Sequence, residues 1–514
     1  MRPPGRASYY PAWVLSYEEL TPPERELWDA FPEGRRVDLR TGTAESDDPV
    51  AGAGWGAERT VRAAVVAMLL LGAHDGDRGS GTVASLRLAG ARVTGRLDLS
   101  GAEVSHLFSL VGCRLEEPVR LYGATTRTVV ITDSWVPGVD CELARIGGDL
   151  DLRRSVVEGG SLNLINARMA GNLLVSDAEI AGTDEWAVLG GGLILEGSVF
   201  GQRLITRGGL RLPGAQLLSG LFLQGARLGD TEGVALAAEV MAASSVDCSQ
   251  GFTAQGQVVL RSARIAGLLS FEDAHLNGDG IALDCVSMVV GELDHRPAAP
   301  PSGVVDLRSA QATWFRDSER SRPGKVLLDG FTYGGIRSAG GGSSVVRGGD
   351  EVSRRLDWVR RNPGYAPQPY EQLAAWYRKI GHDDDARRVL LAKQRHRRLG
   401  LSLPARLWGH LLDVTVGYGY RPWMAGVWLL ALTLLGTLAF STHEPRPVKE
   451  GEGSPFQPFV YTLDLLIPIG DLGQRSGWYW SEGGLQWLAY LLIAFGWVLT
   501  TALVAGVTRA LQKS

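Results

Sequence analysis

Between residues 86 and 126 the chain repeats one pattern four times: "LRLAGARV", "LDLSGAEV", "FSLVGCRL" and "VRLYGATT", each beginning eleven residues after the last. In every copy two apolar residues flank a variable one. Two further variable positions follow, then a small residue, and an apolar residue two places on. The frame returns at 162–169, 173–180, 210–217, 221–228, 234–241, 246–253, 258–265, 269–276 and 281–288, with weaker copies starting at 129, 150, 193, 305 and 326. Alternation with period two predicts a short strand with one buried face. The small residue suits a corner where backbones approach closely. A unit of one strand and one turn cannot bury its own face, so the units must stack. Two units make a coil of about 22 residues, which predicts a parallel β-helix over 83–337. Eleven-residue units leave no room for the helical crossovers of a doubly wound sheet.

The ends of such a solenoid need covers, because an open coil exposes unpaired strand edges. Thr21-Pro22-Pro23-Glu24 has the form of a capping box with proline at the first helical position, predicting a short helix through Ala30. "AERTVRAAVVAMLLLGA" (57–73) predicts a second helix, too short to cross a bilayer, just before the first strand. Residues 1–82 are therefore expected to form an N-terminal helical cap. After a Gly/Ser linker at 338–349, "PYEQLAAWYRKIGHDDDARRVLLAKQRHRRL" (369–399) predicts two amphipathic helices meeting at Gly381-His382-Asp383. Tyr370, Leu373, Ala374, Tyr377, Gly381 and Ala386 resemble one tetratricopeptide-like hairpin, placed at 350–400. A single hairpin makes no peptide groove, so it is expected to dock on the solenoid end.

Two uncharged apolar runs follow, 423–440 and 485–507, long enough to cross a bilayer and marked by tryptophans at their ends. A juxtamembrane segment (401–422) precedes the first, an external loop (441–484) separates them, and a short cytoplasmic tail (508–514) ends the chain. The N-terminal stretch holds no continuous apolar region of signal-peptide type. Arg387, Arg388, Lys393, Arg395, Arg397, Arg398 and Arg406 precede the first run, and Arg509 and Lys513 follow the second. By the positive-inside rule both flanks are cytoplasmic. The basic run is the candidate contact for anionic lipid, each charge contributing about 1 kcal/mol beside a membrane.

Thr415-Val416-Gly417-Tyr418-Gly419 spells a potassium-channel filter, but it precedes the first run, whereas a filter lies between two membrane helices after a pore helix. "PFQPFVYTLDLLIPIGDLG" (455–473) has the right place without the threonine-and-glycine ladder. It is either a re-entrant segment or an interfacial helix, and its candidate pore residues are Asp464, Pro468, Gly470 and Asp471.

"LSGAEV", "LPGAQL" and "LQGARL" look like degenerate pentapeptide-repeat coils. With "LTPPERELWDAFPEGRRVDLR" (20–40) and "GYGYRPW" (417–423), the whole chain resembles a group of actinobacterial membrane-associated β-solenoid proteins with a two-helix C-terminus. The resemblance implies a mainly β, pentapeptide-like solenoid in a bacterial plasma membrane, with both termini cytoplasmic. It also brings a label, oxidoreductase, that no residue here supports.

Composition narrows the chemistry. A net charge of −4 gives no pull toward nucleic acid. At the second position of the repeat stand Arg87, Asp98, Arg120, Asp151, Arg211, Asp247 and Asp306, expected to face outward as a mixed, solvated surface. Cys113, Cys141, Cys248 and Cys285 are widely spaced and expected to be buried hydrophobes; His106, His275 and His410 have no matched partner nearby. Dinucleotide fingerprint, Walker loop, HExxH and GxSxG elbow are all missing, so no cofactor or catalytic residue is assigned. The expectation is a non-catalytic scaffold whose solenoid face meets a protein partner while the spans hold it in lipid. The alternatives are a homo-oligomeric two-span pore with a regulatory solenoid, and the oxidoreductase of the family label.

Overall fold

The structure is a computed structural model describing residues 15–74, 82–229, 233–337, 349–419, 423–449, 454–468, 470–481 and 483–511. The first fourteen residues, the 338–348 part of the Gly/Ser linker and Lys513 lie outside the described residues. The chain divides into two compact units, 1–372 and 373–514.

The first unit is a parallel β-solenoid of about 11 turns. Each coil contributes short strands to two sheets, of 20 and 19 strands among the described residues. One coil shows the plan: Thr125–Thr126 and Val129–Thr132 lie in the first sheet, Trp135–Val136 and Val139–Asp140 in the second. Every pairing within the two sheets is parallel and joins one coil to the next, as where Thr125 stands opposite Arg145 and Arg145 opposite Arg168. The apolar positions of the repeat point inward, and Leu86, Leu88, Val119, Leu121, Leu150 and Leu152 are all buried.

The chain passes between the sheets through one residue in the left-handed conformation, at the fifth position of the repeat. Glycine supplies it in the first coils, at Gly90, Gly101, Gly112 and Gly123, with φ between 61° and 67°. Later coils accept Asp133, Leu143, Arg154, Asn166, Asp177 and Val240 there, with φ between 53° and 58°. The small sixth residue is buried at Ala91, Cys113, Ala124 and Ala144 and half-buried at Ala102. Three repeats are framed differently from the sequence pattern; in the weak copy at 193 the left-handed residue is Gly192, so the inward pair is Val188 with Gly190. In 234–241 and 281–288 the left-handed residues are Val240 and Ser287, so the inward pairs are Leu236 with Ala238 and Leu283 with Cys285. In these two the frame stands two residues later than the sequence pattern places it.

The N-terminal cover comprises α1 (Pro22–Ala30), α2 (Ala63–Leu70) and two added strands. Val37–Asp38 extends the first sheet, and Thr60–Arg62 extends the second by pairing with Arg92–Thr94. The 57–73 helix is thus corrected. Ala57–Arg59 make a short 3-10 turn and Thr60–Arg62 a strand, because the open edge of the first full coil offers that strand a parallel partner. Glu24, fully buried, accepts the backbone N–H groups of Thr21 and Arg62, each at 2.9 Å, and two bonds from the Arg62 guanidinium. The capping box of α1 therefore also ties the helix to the edge strand.

At the other end, α3 (Gly349–Arg360) and the start of α4 (Pro367–Lys379) close the last coil. Asn362 Oδ1 accepts the Leu328 N–H and Gln368 Oε1 the Gly330 N–H, while the Gln368 and Gln372 amides donate to the Phe331 and Tyr333 carbonyls. Phe315, Phe331, Tyr333 and Trp358 fill the end of the core. The helix α3 was not anticipated by the sequence reading.

The second unit holds the rest of α4, then α5 (Asp383–Leu399), α6 (Leu403–Val416), α7 (Trp423–Phe440), α8 (Pro458–Leu466) and α9 (Gly484–Leu511). The α4–α5 pair turns at Gly381, φ 81°, as the hairpin pattern requires. Three aspartates open α5 and His396, Arg397 and Arg398 close it, matching its dipole. The segment before α7 is a fourteen-residue helix followed by a tight turn. Both α7 and α9 are long and apolar enough to cross a membrane, with mean hydropathies of 1.8 and 1.4 over their best eighteen residues.

Candidate functional site

The second position of the repeat does more than face water. Arg87, Asp98, Arg120 and Arg211 are exposed, but Asp151 and Asp306 are buried and Asp247 half-buried, which corrects the expectation of a solvated row. The aspartates cap their own corners. Asp98, Asp140, Asp151, Asp284 and Asp306 each accept the backbone N–H two residues on, at 3.0–3.2 Å. The left-handed residue comes one place later, so the carboxylate satisfies the amide that the corner frees. Where arginine occupies the capped position, at Arg153 and Arg308, its guanidinium folds back on the same carboxylate. Corner side chains also bridge coils: Arg154 clasps Asp133, and Arg203 clasps Asp177 at 2.6 Å through each nitrogen.

On the first sheet the side chains leave a shallow groove across successive coils. Its floor is Ala242, Ser244 and Ala266, and Leu218 and Val289 stand at its margins with Gln216 and Arg264. The small residues are recessed because their aligned neighbours are larger: Gln216, Ala242, Arg264 and Val289 are opposite one another in register. Leu218 is 58% and Val289 44% exposed. Sequence reasoning did not find this groove. Its signal is the run Ala242-Ala243-Ser244-Ser245, small residues where other repeats carry bulk.

In the second unit, α8 packs between α7 and α9. Phe440, Tyr461, Leu465, Leu466, Trp480 and Leu492 form its core. Two glycines admit it: a Cβ on Gly436 would strike Thr462, and one on Gly496 would strike the Leu466 carbonyl. Asp464 is buried, and its carboxylate accepts the backbone N–H groups of Leu472, Gln474 and Arg475 at 2.8–3.0 Å. It staples the returning chain to α8. Asp471, exposed, caps the Gly473 N–H at 2.7 Å; Pro468 is half-buried and Gly470 exposed with φ 112°. The four proposed pore residues thus lie close together, but Asp464 is turned into its own loop.

The basic residues are largely engaged within the chain. Arg395 and Arg398 meet the buried Asp413 of α6, Arg387 pairs with Asp384 and Arg388 with Asp385. Arg406 donates to the carbonyls of Leu399 and Leu401, closing the end of α5. Lys393 is half-buried and Arg397 exposed. The side chains of Arg387, Arg388 and Arg397 are exposed.

The four thiols are buried in the solenoid core; burial pushes Cys113 up to about 11 and Cys141 up to about 12, and raises Cys248 and Cys285 well above the ordinary thiol value. His106 lies edge-on to Phe31, 5.1 Å between centroids, while His275 and His410 are exposed. Among the described residues no three His, Cys, Asp or Glu side chains group as metal donors. Thr415 and Val416 complete α6 and Gly417–Gly419 form the turn after it. Comparison with family models, with curated proteins and with solved structures finds no match to this chain. What the geometry defines is a class: a capped β-solenoid joined to a helical unit with two apolar helices of membrane-crossing length.

Proposed function

We propose that this protein is a membrane-anchored scaffold whose solenoid presents an extended rigid surface to a protein partner. The groove over Ala242, Ser244 and Ala266 is the observation that carries it, being recessed, mostly apolar and built on hydrogen-bonded coils that do not need to rearrange. A partner segment with small apolar side chains fits it, with Gln216 and Arg264 supplying polar contacts at the rim. In this proposal α7 and α9 cross a bacterial plasma membrane, both termini are cytoplasmic, and Arg387, Arg388 and Arg397 rest against anionic headgroups. The resemblance to actinobacterial membrane-associated solenoids points the same way. A photo-reactive amino acid at Ala266 of the full chain, irradiated in cells, should give one discrete adduct that the same group at Arg120 does not. Identical adduct patterns from both positions would remove the groove from the account.

A second reading is favoured by α8. A short helix packed between two long ones, with its chain returning to the side it came from, is the layout of a two-span pore. Ion flux through vesicles holding the purified chain, altered by Asp471→Asn, tests it.

A further inference from the structure

The chain following α8 sets a solvation problem that one copy leaves unsolved. The Leu466 carbonyl lies against Gly496, twelve residues into α9, or about 18 Å along that helix at about 1.5 Å per residue. If α9 crosses a bilayer from Gly484, that places Leu466 near the middle of a hydrocarbon layer about 30 Å thick. Beyond it the backbone is not helical: Ile467 is extended, with φ −91° and ψ 107°, and Gly470 has φ 112°. Asp464 satisfies amides on one side of this return, at Leu472, Gln474 and Arg475. The other side is open. Ile467 is 39% and Leu472 52% exposed, and Gly470 and the Asp471 carboxylate are exposed beside them.

Non-helical backbone at bilayer depth persists only where protein covers it or water reaches it. A carboxylate there needs water or a partner as well. Lipid supplies neither, so a single copy in a membrane would leave this loop and Asp471 against hydrocarbon. Copies arranged about a common axis meet both needs, since neighbours cover the flanks of each loop and water fills the centre.

We propose that copies of this chain close into a ring in the membrane with Ile467, Gly470, Asp471 and Leu472 turned toward the axis. The proposal rests on reading α7 and α9 as membrane-spanning. The occupant of the open face is a second copy rather than an unlike protein, because among the described residues the face carries one exposed acid, Asp471, and one exposed base, Arg475, whose guanidinium donates to the Gly470 carbonyl, so neighbouring copies about an axis offer each other the complementary charge.

The four native thiols are buried, so an introduced cysteine is the reactive one. In carbonate-washed membranes holding the full chain, Leu472→Cys should oxidise to a disulfide-linked dimer at least ten times faster than Val448→Cys, which is also exposed but lies in the loop after α7. Native mass spectrometry of the unmodified chain should show several identical copies. Equal oxidation rates, or a mass of one copy alone or with an unlike chain, would overturn the ring while leaving the membrane reading intact. Release of the chain by carbonate would remove the membrane reading and the ring with it.

Discussion

The Arg308 guanidinium grips the Asp306 carboxylate two residues before it, at 2.6 and 3.0 Å, while that carboxylate accepts the Arg308 backbone N–H at 3.1 Å. Asp38 with Arg40 and Asp151 with Arg153 repeat the arrangement. One short side chain thus caps a corner and anchors a covering arginine. Asp306→Ala should cost about 2 kcal/mol, the scale for losing bonds to a charged group, while Asp306→Asn keeps the cap and should cost less. Amide hydrogen exchange at residues 307–309 measures it locally, avoiding the assumption of two-state unfolding in a repeat protein.

Val240 occupies its corner with φ 58° and is 65% exposed. A β-branched residue in that conformation is strained, and its side chain contributes little burial in return. Val240→Gly should therefore raise the stability of the solenoid by about 1 kcal/mol, read from the urea midpoint of the extracted protein.

Burial pushes His295 down to about 4, against the opposing charges of Asp317 and Asp294. Since the unfolded chain takes up this proton near pH 6.5 and the folded one near pH 4, stability falls as pH drops through that window, by about 3 kcal/mol in full. His295→Gln should flatten the loss. Asp317 is also buried, which opposes ionisation, but Arg355 and Arg322 hold it below its ordinary value. Its contribution is lost only at lower pH, below the ordinary carboxylate value near 3.8. Thermal melts from pH 7 to pH 4 separate the two groups.

Gly496→Ala should loosen α8, because the new methyl meets the Leu466 backbone rather than a flexible side chain. Gly426→Ala, on α7 with open space around it, should leave the melting temperature unchanged or raise it slightly. Melting in detergent, followed by the fluorescence of Trp480 beside Phe440, distinguishes them.

The solenoid was legible because Leu-x-Leu alternation and the small corner residue recur at a fixed spacing, which few other folds tolerate. The frame slipped at 234–241 and 281–288 because residues there are themselves apolar or small and mimic the pattern. Asp151 and Asp306 looked like surface charges because a second-position residue points out of its strand. Only the fold shows that Arg153 and Arg308 lie over them. The strand at Thr60–Arg62 was hidden because it runs straight into an apolar helix and its partner, Arg92–Thr94, is some thirty residues away. The groove and the seat of α8 depend on which small residues align in space. Ala242, Ser244 and Ala266 in the groove, and Gly436 and Gly496 beside α8, carry no such address in the sequence.

Alkaline carbonate extraction of cell membranes tests the central claim most directly. The account predicts that the full chain stays in the pellet, and that external protease cuts spheroplasts only within 441–484, leaving the solenoid intact inside. A chain released by carbonate, or a solenoid digested from outside, would contradict it.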